Sequence, residues 1–501
     1  MTPVYLSRPV KQFSGSRQPL LELAQEGLEA LLASGGPPPG LLLLASAHPL
    51  ELAGISGPDL AAALAGRAGL FGLKTRVEFY ANPGLEEPTA HLAASTAGAA
   101  LVHEAARRVA RGEETSIAVL GLEQMRLTDR ETTTQALRSL IHPAERACGL
   151  TMPALGALLM RQMETRHPGL SEALTALTVA NRGRTVVNPR AHIRKALRVE
   201  DILGEKNPPV SEPLRLFDVA PTSTGYAGLF LTAAAPPHDI QVQVAGIGRG
   251  LDCLSVCRRG IEFRATREAM AELLNHLGWE PRDIRRQVRT AEIHDAFPII
   301  EFMGLIDCGL LEAGSAVDEI LAGAVAPTGA LPVNATGGVM GGHPIAATGV
   351  GQIVELYLEA TGRSEGGVSL GPDGGYALAF NVGGPLTYNG VTLLSAFRRE
   401  DGPPRDYTLS QRPHAVAADL DRSLAPPPAP GPARLVAATA LQFPPPGFDA
   451  PCAIGVVETA GHLHFVPCVN GLAGHLPRHG NTMVELIRTN GHLSADAPLA
   501  H

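Results

Sequence analysis

The stretch "GGVMGGHPIAATGVGQ" (337–352) places a histidine and a proline among glycines, and the chain then runs on apolar through "IVELYLEATG" (353–362). Glycines ahead of a helix let main-chain N–H groups come close to a ligand, so His343 stands at the tip of a turn built for close approach. A second apolar helix after a glycine turn is predicted at "GAALVHEAARRVARG" (98–112). Around the first of these helices lie a helix at "LLELAQEGLEALLAS" (20–34) and strands at "GLLLLASA" (40–47) and "TSIAVLGLE" (115–123). Strands at "GLFLTAA" (228–234) and "DIQVQVAGIGRG" (239–250) follow, then a helix at "FRATREAMAELLNHLGW" (263–279) that opens a second helix-and-strand series. The pattern is α/β, and its two series read as a duplication.

The 501 residues are enough for two or three domains, and 45% hydrophobic against 18% charged residues suits a large buried core or a subunit interface. A formal net charge of −8 argues against nucleic acid or an anionic membrane surface as partner. Six cysteines (148, 253, 257, 308, 452 and 468) do not form a disulfide framework. Cys253 and Cys257 are spaced as C-x-x-x-C, which reads as two buried thiols rather than a zinc site. "MTPVYLSRPVKQFSG" (1–15) lacks the apolar core of a signal peptide, and no run of about 18 apolar residues offers a membrane span. A soluble cytoplasmic protein is the expectation.

Residues 126–212, with "NRGRTVVNPRAHIRKALRVEDIL" (181–203), read as a surface subdomain inserted in the core. After "GVTLLSAF" (390–397) the pattern breaks, and 401–433, containing "LAPPPAPGPARL", reads as a stiff proline-rich linker. Short β segments follow in 434–501: "RLVAATALQF", "CAIGVVET", "HLHFVPCV" and "TMVELIRT". They fit a small oligonucleotide/oligosaccharide-binding (OB) type barrel, with a siteless accessory β-domain as the alternative.

"AEIHDAFPIIEFMGLIDCGL" (291–310), followed by "LPVNATGGVMGGHPIAATGVGQIVELYLEATG" (331–362), resembles the C-terminal half of the thiolase superfamily. The likeness is to the branch of archaeal acetoacetyl-CoA thiolases and the thiolase part of sterol carrier protein x. That branch carries H-D-C-F or H-D-A-F and G-G-x-x-x-x-G-H-P motifs at this separation. "FNVGGPLTYNGVTLL" (380–394) is similar to its last glycine-rich loop, and 126–212 to its loop domain. The resemblance implies a duplicated, layered αβαβα core, with 1–250 and 251–400 as its halves, pairing as a homodimer. It implies a coenzyme A thioester as substrate and no permanently bound cofactor. "FPPPGFDAPCAIGVVE" (443–458) resembles the OB-fold protein that partners such thiolases behind a four-cysteine zinc ribbon. The linker here has no cysteine, so no zinc is expected.

By the same resemblance, His343 is the base that activates a nucleophile and His294 helps form an oxyanion hole. Gly342, Asn381, Gly383 and Gly384 complete the substrate and oxyanion loops. A neutral histidine can take a proton or donate to a thioester oxygen, and glycine-loop amides can hold the charge that develops. The two rings should then lie within roughly 7 Å of each other. The family nucleophile is a cysteine in a C-x-x-G stretch at a buried helix start. The matching stretch, "HLAASTAGAALVHEAARRVARGEETSIAVLGLEQM" (91–125), puts Ser95 there with Gly98 as the glycine, or Ala94 if slid by one. The second family cysteine, in H-D-C-F, is Ala296, and Cys308 is expected to pack at a helix end. Three readings stand. The chain is an enzyme on acyl thioesters, through an acyl-Ser95 or through non-covalent C–C cleavage; it is a non-catalytic acyl-CoA-binding or scaffolding protein; or it is an ordinary thiolase, which needs a thiol the motifs lack.

Overall fold

The computed structural model describes residues 2–35, 39–70, 75–80, 94–260, 262–370, 374–403, 409, 430–442, 452–459, 462–468, 482–489 and 492–498. Most of the proline-rich stretch, and "FPPPGFDAP" ahead of the second barrel strand, lie outside the described residues.

The first series runs β1 (Tyr5–Ser14), α1 (Leu20–Ala33), β2 (Leu41–Ala45), α2 (Pro49–Ala53), α3 (Gly57–Leu70), β3 (Arg76–Phe79), α4 (Thr96–Ala110) and β4 (Ser116–Gln124). The inserted subdomain holds α5 (Arg130–Ser139), α6 (Pro143–Ala147), α7 (Met152–Glu164), α8 (Leu170–Arg184) and α9 (Val199–Leu203), then β5 (Pro209–Ser211) and β6 (Leu214–Arg215). β7 (Thr224–Thr232) closes the first series. The second series comprises β8 (Ile240–Leu251), α10 (Val256–Arg259), α11 (Arg264–Leu277), α12 (Pro281–Gln287), β9 (Val288–Ile293), α13 (Pro298–Asp307), α14 (Ala316–Leu321), α15 (Ile345–Ala360), β10 (Gly375–Gly383) and β11 (Tyr388–Arg398). Five strands end the chain: β12 (Gly431–Leu441), β13 (Cys452–Thr459), β14 (His462–Cys468), β15 (Thr482–Thr489) and β16 (His492–Pro498). β12 thus starts inside the stretch read as linker.

Nine strands join in the order β3-β2-β4-β7-β1-β8-β11-β10-β9. β2 and β4 are parallel, β4 and β7 antiparallel, β7 and β1 antiparallel. The second series repeats this order: β9 and β10 parallel, β10 and β11 antiparallel, β11 and β8 antiparallel. The two runs meet where Tyr5 pairs with Gln243. "LLLLA" is fully buried, as a parallel strand covered on both faces must be. α1 and α3 cover the outer face of the first run, and α11 that of the second. α4 and α15 lie between the two runs, each touching strands of both, so the layering is αβαβα. This central layer is why α15 is buried along nearly its whole length, charged and polar residues Gln352, Glu355 and Glu359 included.

The C-terminal strands close a five-stranded ring, β12-β13-β14-β16-β15-β12, in which only β14 and β16 pair parallel. The ring is joined to the inserted subdomain: Glu212 N donates to the Ala440 carbonyl (3.1 Å), Ser211 Oγ lies 2.7 Å from Thr439 Oγ1, and Cys148 Sγ donates to the Phe465 carbonyl (3.2 Å). Leu441, Ile454, Val456 and Phe465 of the ring share one apolar core with Leu155, Leu158 and Leu159 of α7.

Candidate active site

The site forms where the starts of α4 and α15 meet. The two helices approach closely because each has a glycine facing the other. A Cβ at Gly98 would press into the Ala346 carbonyl and the Val350 amide, and one at Gly349 into the Ala99 amide. Ser95 precedes α4, and its side chain makes no capping bond to that helix. The Ala97 amide of its first turn is instead taken by the Ala94 carbonyl (3.1 Å). Thr96 Oγ1 donates to the Tyr388 carbonyl (2.8 Å) and holds the helix start against β11. Ala94, the alternative alignment, is buried at a positive φ of 42°. That strained turn sets Ser95, not Ala94, facing the second half.

The start of α15 is held from several sides. The carboxylate of Asp295 accepts from Val339 N (2.7 Å) and from Asn181 Nδ2 (3.0 Å). Gly338, at φ 56°, passes so close to Asp295 that a Cβ would meet its oxygens at 2.5 Å. Arg182 Nη1 donates to the Met340 carbonyl (2.8 Å), and Ile193 N to that of Gly341 (2.8 Å). His343 N donates to the Pro221 carbonyl (3.0 Å) and faces Ser223 Oγ (3.3 Å), whose other neighbour is His192 Nδ1 (2.9 Å).

Across the gap, Ser95 Oγ lies 3.0 Å from His343 Nε2, and the His294 and His343 ring centroids are 5.2 Å apart at 67°. His294 N donates to the Phe380 carbonyl (3.0 Å). Asn381 Nδ2 lies 3.5 Å from His294 Nδ1 and donates to Gln352 Oε1 (2.8 Å), while Gln352 Nε2 donates to the carbonyls of Phe380 (3.0 Å) and Glu292 (3.2 Å). An N–H facing His294 Nδ1 leaves the proton of the neutral ring on Nε2, the nitrogen free to donate elsewhere.

Burial keeps both rings neutral. It pushes His343 down to about 4, and burial followed by the neighbouring His343 holds His294 well below the usual histidine range. Among the described residues neither ring of the pair is bonded to a carboxylate. The Asp295 carboxyl behind the pair is pushed up by burial despite its amide donors, and Glu301, which shares Asn181 with it, is raised by burial and by Asp295.

Ser95, Thr222, His294 and His343 open into a cavity of about 160 Å³ whose other described lining residues are apolar. Gly384 and Ala296 are on its wall, as is Leu386 at φ 69°. Two strained non-glycine residues, Ala94 and Leu386, thus line one cavity, the kind of place where strain is retained. Gly342 and Gly383 stand one residue behind the wall, and Asn381 sits behind His294 instead of facing the cavity. Sequence reading missed the supports Asn181, Ser223 and Gln352. Of the supporting set only Asp295 carried a signal, as the second letter of H-D-A-F. Cys308 ends α13, buried, with its thiol pushed up by burial. None of Cys148, Cys253, Cys257 and Cys308 lines the cavity. Among the described residues no group of three or more His, Cys, Asp or Glu is placed to hold a metal, and no helix is long and apolar enough to cross a membrane.

Residues 254–396 match the family described as thiolase C-terminal domain-like. The acetyl-CoA acetyltransferase of Methanothermobacter thermautotrophicus is 28% identical over 363 residues, 70% of this chain and 91% of that protein. The 17-hydroxy-3-oxo-4-pregnene-20-carboxyl-CoA lyase of Mycobacterium tuberculosis is 27% identical over 231 residues, 44% of this chain and 58% of that one. The solved structure of a monomeric SCP2-thiolase like protein type 1 from Mycobacterium smegmatis superposes over 98% of both chains, with a TM-score of 0.69 and 15% identity. The chain has the thiolase fold, and its sequence relatives support a place in the thiolase superfamily.

Proposed function

We propose that this chain acts on coenzyme A thioesters, with Ser95 and His343 as the reacting pair and His294 as the oxyanion donor. The observation that carries this reading is the 3.0 Å contact between Ser95 Oγ and His343 Nε2 at the polar end of a buried apolar cavity. A serine hydroxyl is a poor nucleophile until a neighbouring base accepts its proton. As Oγ attacks the thioester carbonyl carbon, its proton passes to His343 Nε2. The carbonyl electron pair moves onto oxygen, where His294 Nε2–H is the donor at hand. Collapse expels the coenzyme A sulfur, which takes the proton from His343, and the acyl group is left on Ser95. In the second step His343, again neutral, takes a proton from the Cα of a second thioester or from water, the resulting nucleophile attacks the acyl carbon, and the Ser95 C–O bond breaks as Oγ takes the proton back from His343.

A second reading draws on one feature of the site and one relative. Among the described residues His343 has no carboxylate behind it, and burial lowers its basicity, which weakens it as an activator of serine. The M. tuberculosis relative is named a lyase. In this reading His343 takes the proton of a hydroxyl on the substrate β-carbon. The Cα–Cβ bond pair then flows into a thioester enolate, a carbonyl product leaves, and His343 returns the proton to Cα. His294 holds the enolate oxygen in either case.

Incubation with an acyl-CoA followed by peptide mass analysis separates the two. An acyl mass on the Ser95 peptide, lost together with turnover in Ser95→Ala, supports the acyl-serine. Turnover that survives Ser95→Ala and falls at least about 10²-fold in His343→Ala supports the C–C reaction. If neither substitution alters any thioester reaction, thioester binding without catalysis takes the place of both.

The C-terminal ring is proposed as an OB-type barrel. Its support is the strand order, with the third strand beside the fifth as the parallel pair. The homodimer implied by the resemblance is tested by sedimentation. A single 52.3 kDa species removes it and matches the monomer named for the M. smegmatis structure.

A further inference from the structure

Among the described residues, the cavity behind Ser95 has polar groups at one end alone. Thr222 pairs with His343 in a β-bridge, Ser95 Oγ touches His343, and the His294 ring lies beside it, so the four polar side chains of the lining are contiguous. Beyond them the described lining is hydrocarbon or thioether, from Met125, Leu140, Leu155, Leu159, Phe297 and Ile300. At about 160 Å³ the space is close to the engineered apolar cavities of about 150 Å³ that take up a benzene ring. The wall is also stiff. α7 supplies Met152, Leu155, Gly156 and Leu159 to the cavity, while the same helix packs against β12 and shares a core with the C-terminal ring. A Cβ at Gly156 would meet the Phe297 ring at 2.9 Å, so helix and ring are already in contact there.

We infer that the acyl group taken by this chain is compact and wholly apolar, of about six carbons, with no polar or charged group at its far end. A steroid-sized acyl group, of the kind in the name of the M. tuberculosis lyase, exceeds the space. A dicarboxylic acyl group would bury a carboxylate against hydrocarbon with no donor among the described lining residues to meet it. The inference rests on the proposed thioester site, because it places the thioester at the Ser95–His343 end.

The test is a ligand series read two ways, as Kd by calorimetry and as turnover: acetyl-, hexanoyl-, dodecanoyl- and adipyl-coenzyme A. Each methylene that enters an apolar pocket is worth about fourfold in affinity, so hexanoyl should bind about 10²-fold tighter than acetyl. Dodecanoyl and adipyl thioesters should each bind at least about tenfold more weakly than hexanoyl. Ile300→Phe should cost hexanoyl at least about tenfold more affinity than acetyl, and Leu159→Ala should raise dodecanoyl relative to hexanoyl. The wild-type series decides the matter even where Leu159→Ala does not fold. Dodecanoyl or adipyl binding as tight as hexanoyl overturns the inference and leaves the proposed function standing. The expected order of Kd with no turnover of any thioester overturns the catalytic reading and leaves the pocket standing. No binding of any of the four overturns both.

Discussion

The starts of α4 and α15 are equivalent places in the two halves, and they are held in opposite ways. Each helix lies on the connection between two parallel strands, and each faces its partner through a glycine, Gly98 or Gly349. The α15 start is fixed by Asp295, Arg182, Ile193 and the Pro221 carbonyl, drawn from four separate stretches of chain. The α4 start has the Thr96–Tyr388 bond and a strained Ala94, with no capping bond from the Ser95 side chain. Duplication therefore produced two similar frames with different duties. In the proposed mechanism, one frame holds the base and the other presents a hydroxyl. The proposed reacting pair, Ser95 and His343, meets where the two frames touch.

Removing the base tests that division most severely. His343→Ala should lower thioester turnover by about 10²- to 10⁴-fold, measured as kcat/KM. If the serine is acylated, Ser95→Ala should match that loss, and the double variant should be no worse than either single one, since the two act as a unit. Additive losses would mean the two helix starts work independently.

The glycine contact comes next. Gly349→Val and Gly98→Val should each destabilise by about 1–3 kcal/mol through overpacking and should cost similar amounts, as chemical denaturation can show. A large cost at one and none at the other would break the equivalence of the frames. The anchors follow. Asn181→Ala strips a donor from both Asp295 and Glu301 on the α15 side and should cost about 2–3 kcal/mol. Thr96→Val on the α4 side removes one neutral bond and should cost about 1 kcal/mol. Equal costs would deny that the base is held more firmly than the hydroxyl.

The smallest expected effect is a flat line. A histidine whose folded value lies below its ordinary one stays neutral until the pH falls through the lower value. kcat/KM should therefore hold level through pH 6.5 and fall only along an acid limb near 4, where His343 protonates. A limb near 6.5 would mean the ring is wet and loosely held.

Periodicity made the helices at 20–33, 96–110 and 264–277 and the apolar strands of the core legible, because burial patterns repeat along the chain. β1 was not legible. "YLSRPVKQFS" carries charges and a proline, and it becomes a strand because β7 pairs along its length and β8 touches its start, with Pro9 absorbed where the register shifts between Ser7 and Val10. β16, "HLSADAP", is likewise a strand only because β15 lies beside it.

By itself the sequence determined the α/β class, the two glycine-led helices, both histidine motifs, the candidate Ser95 and the absence of a cysteine from the active-site motifs. These are local facts, set by residue type and spacing. Tertiary structure alone decided that Ser95 rather than Ala94 meets His343, that Asn381 stands behind His294, and that the C-terminal ring shares a core with α7. Ser95 and His343 are 248 positions apart, and no periodicity reaches that far. Their meeting depends on how closely two helices can pack, which the glycine at each crossing permits and the surrounding sheets enforce.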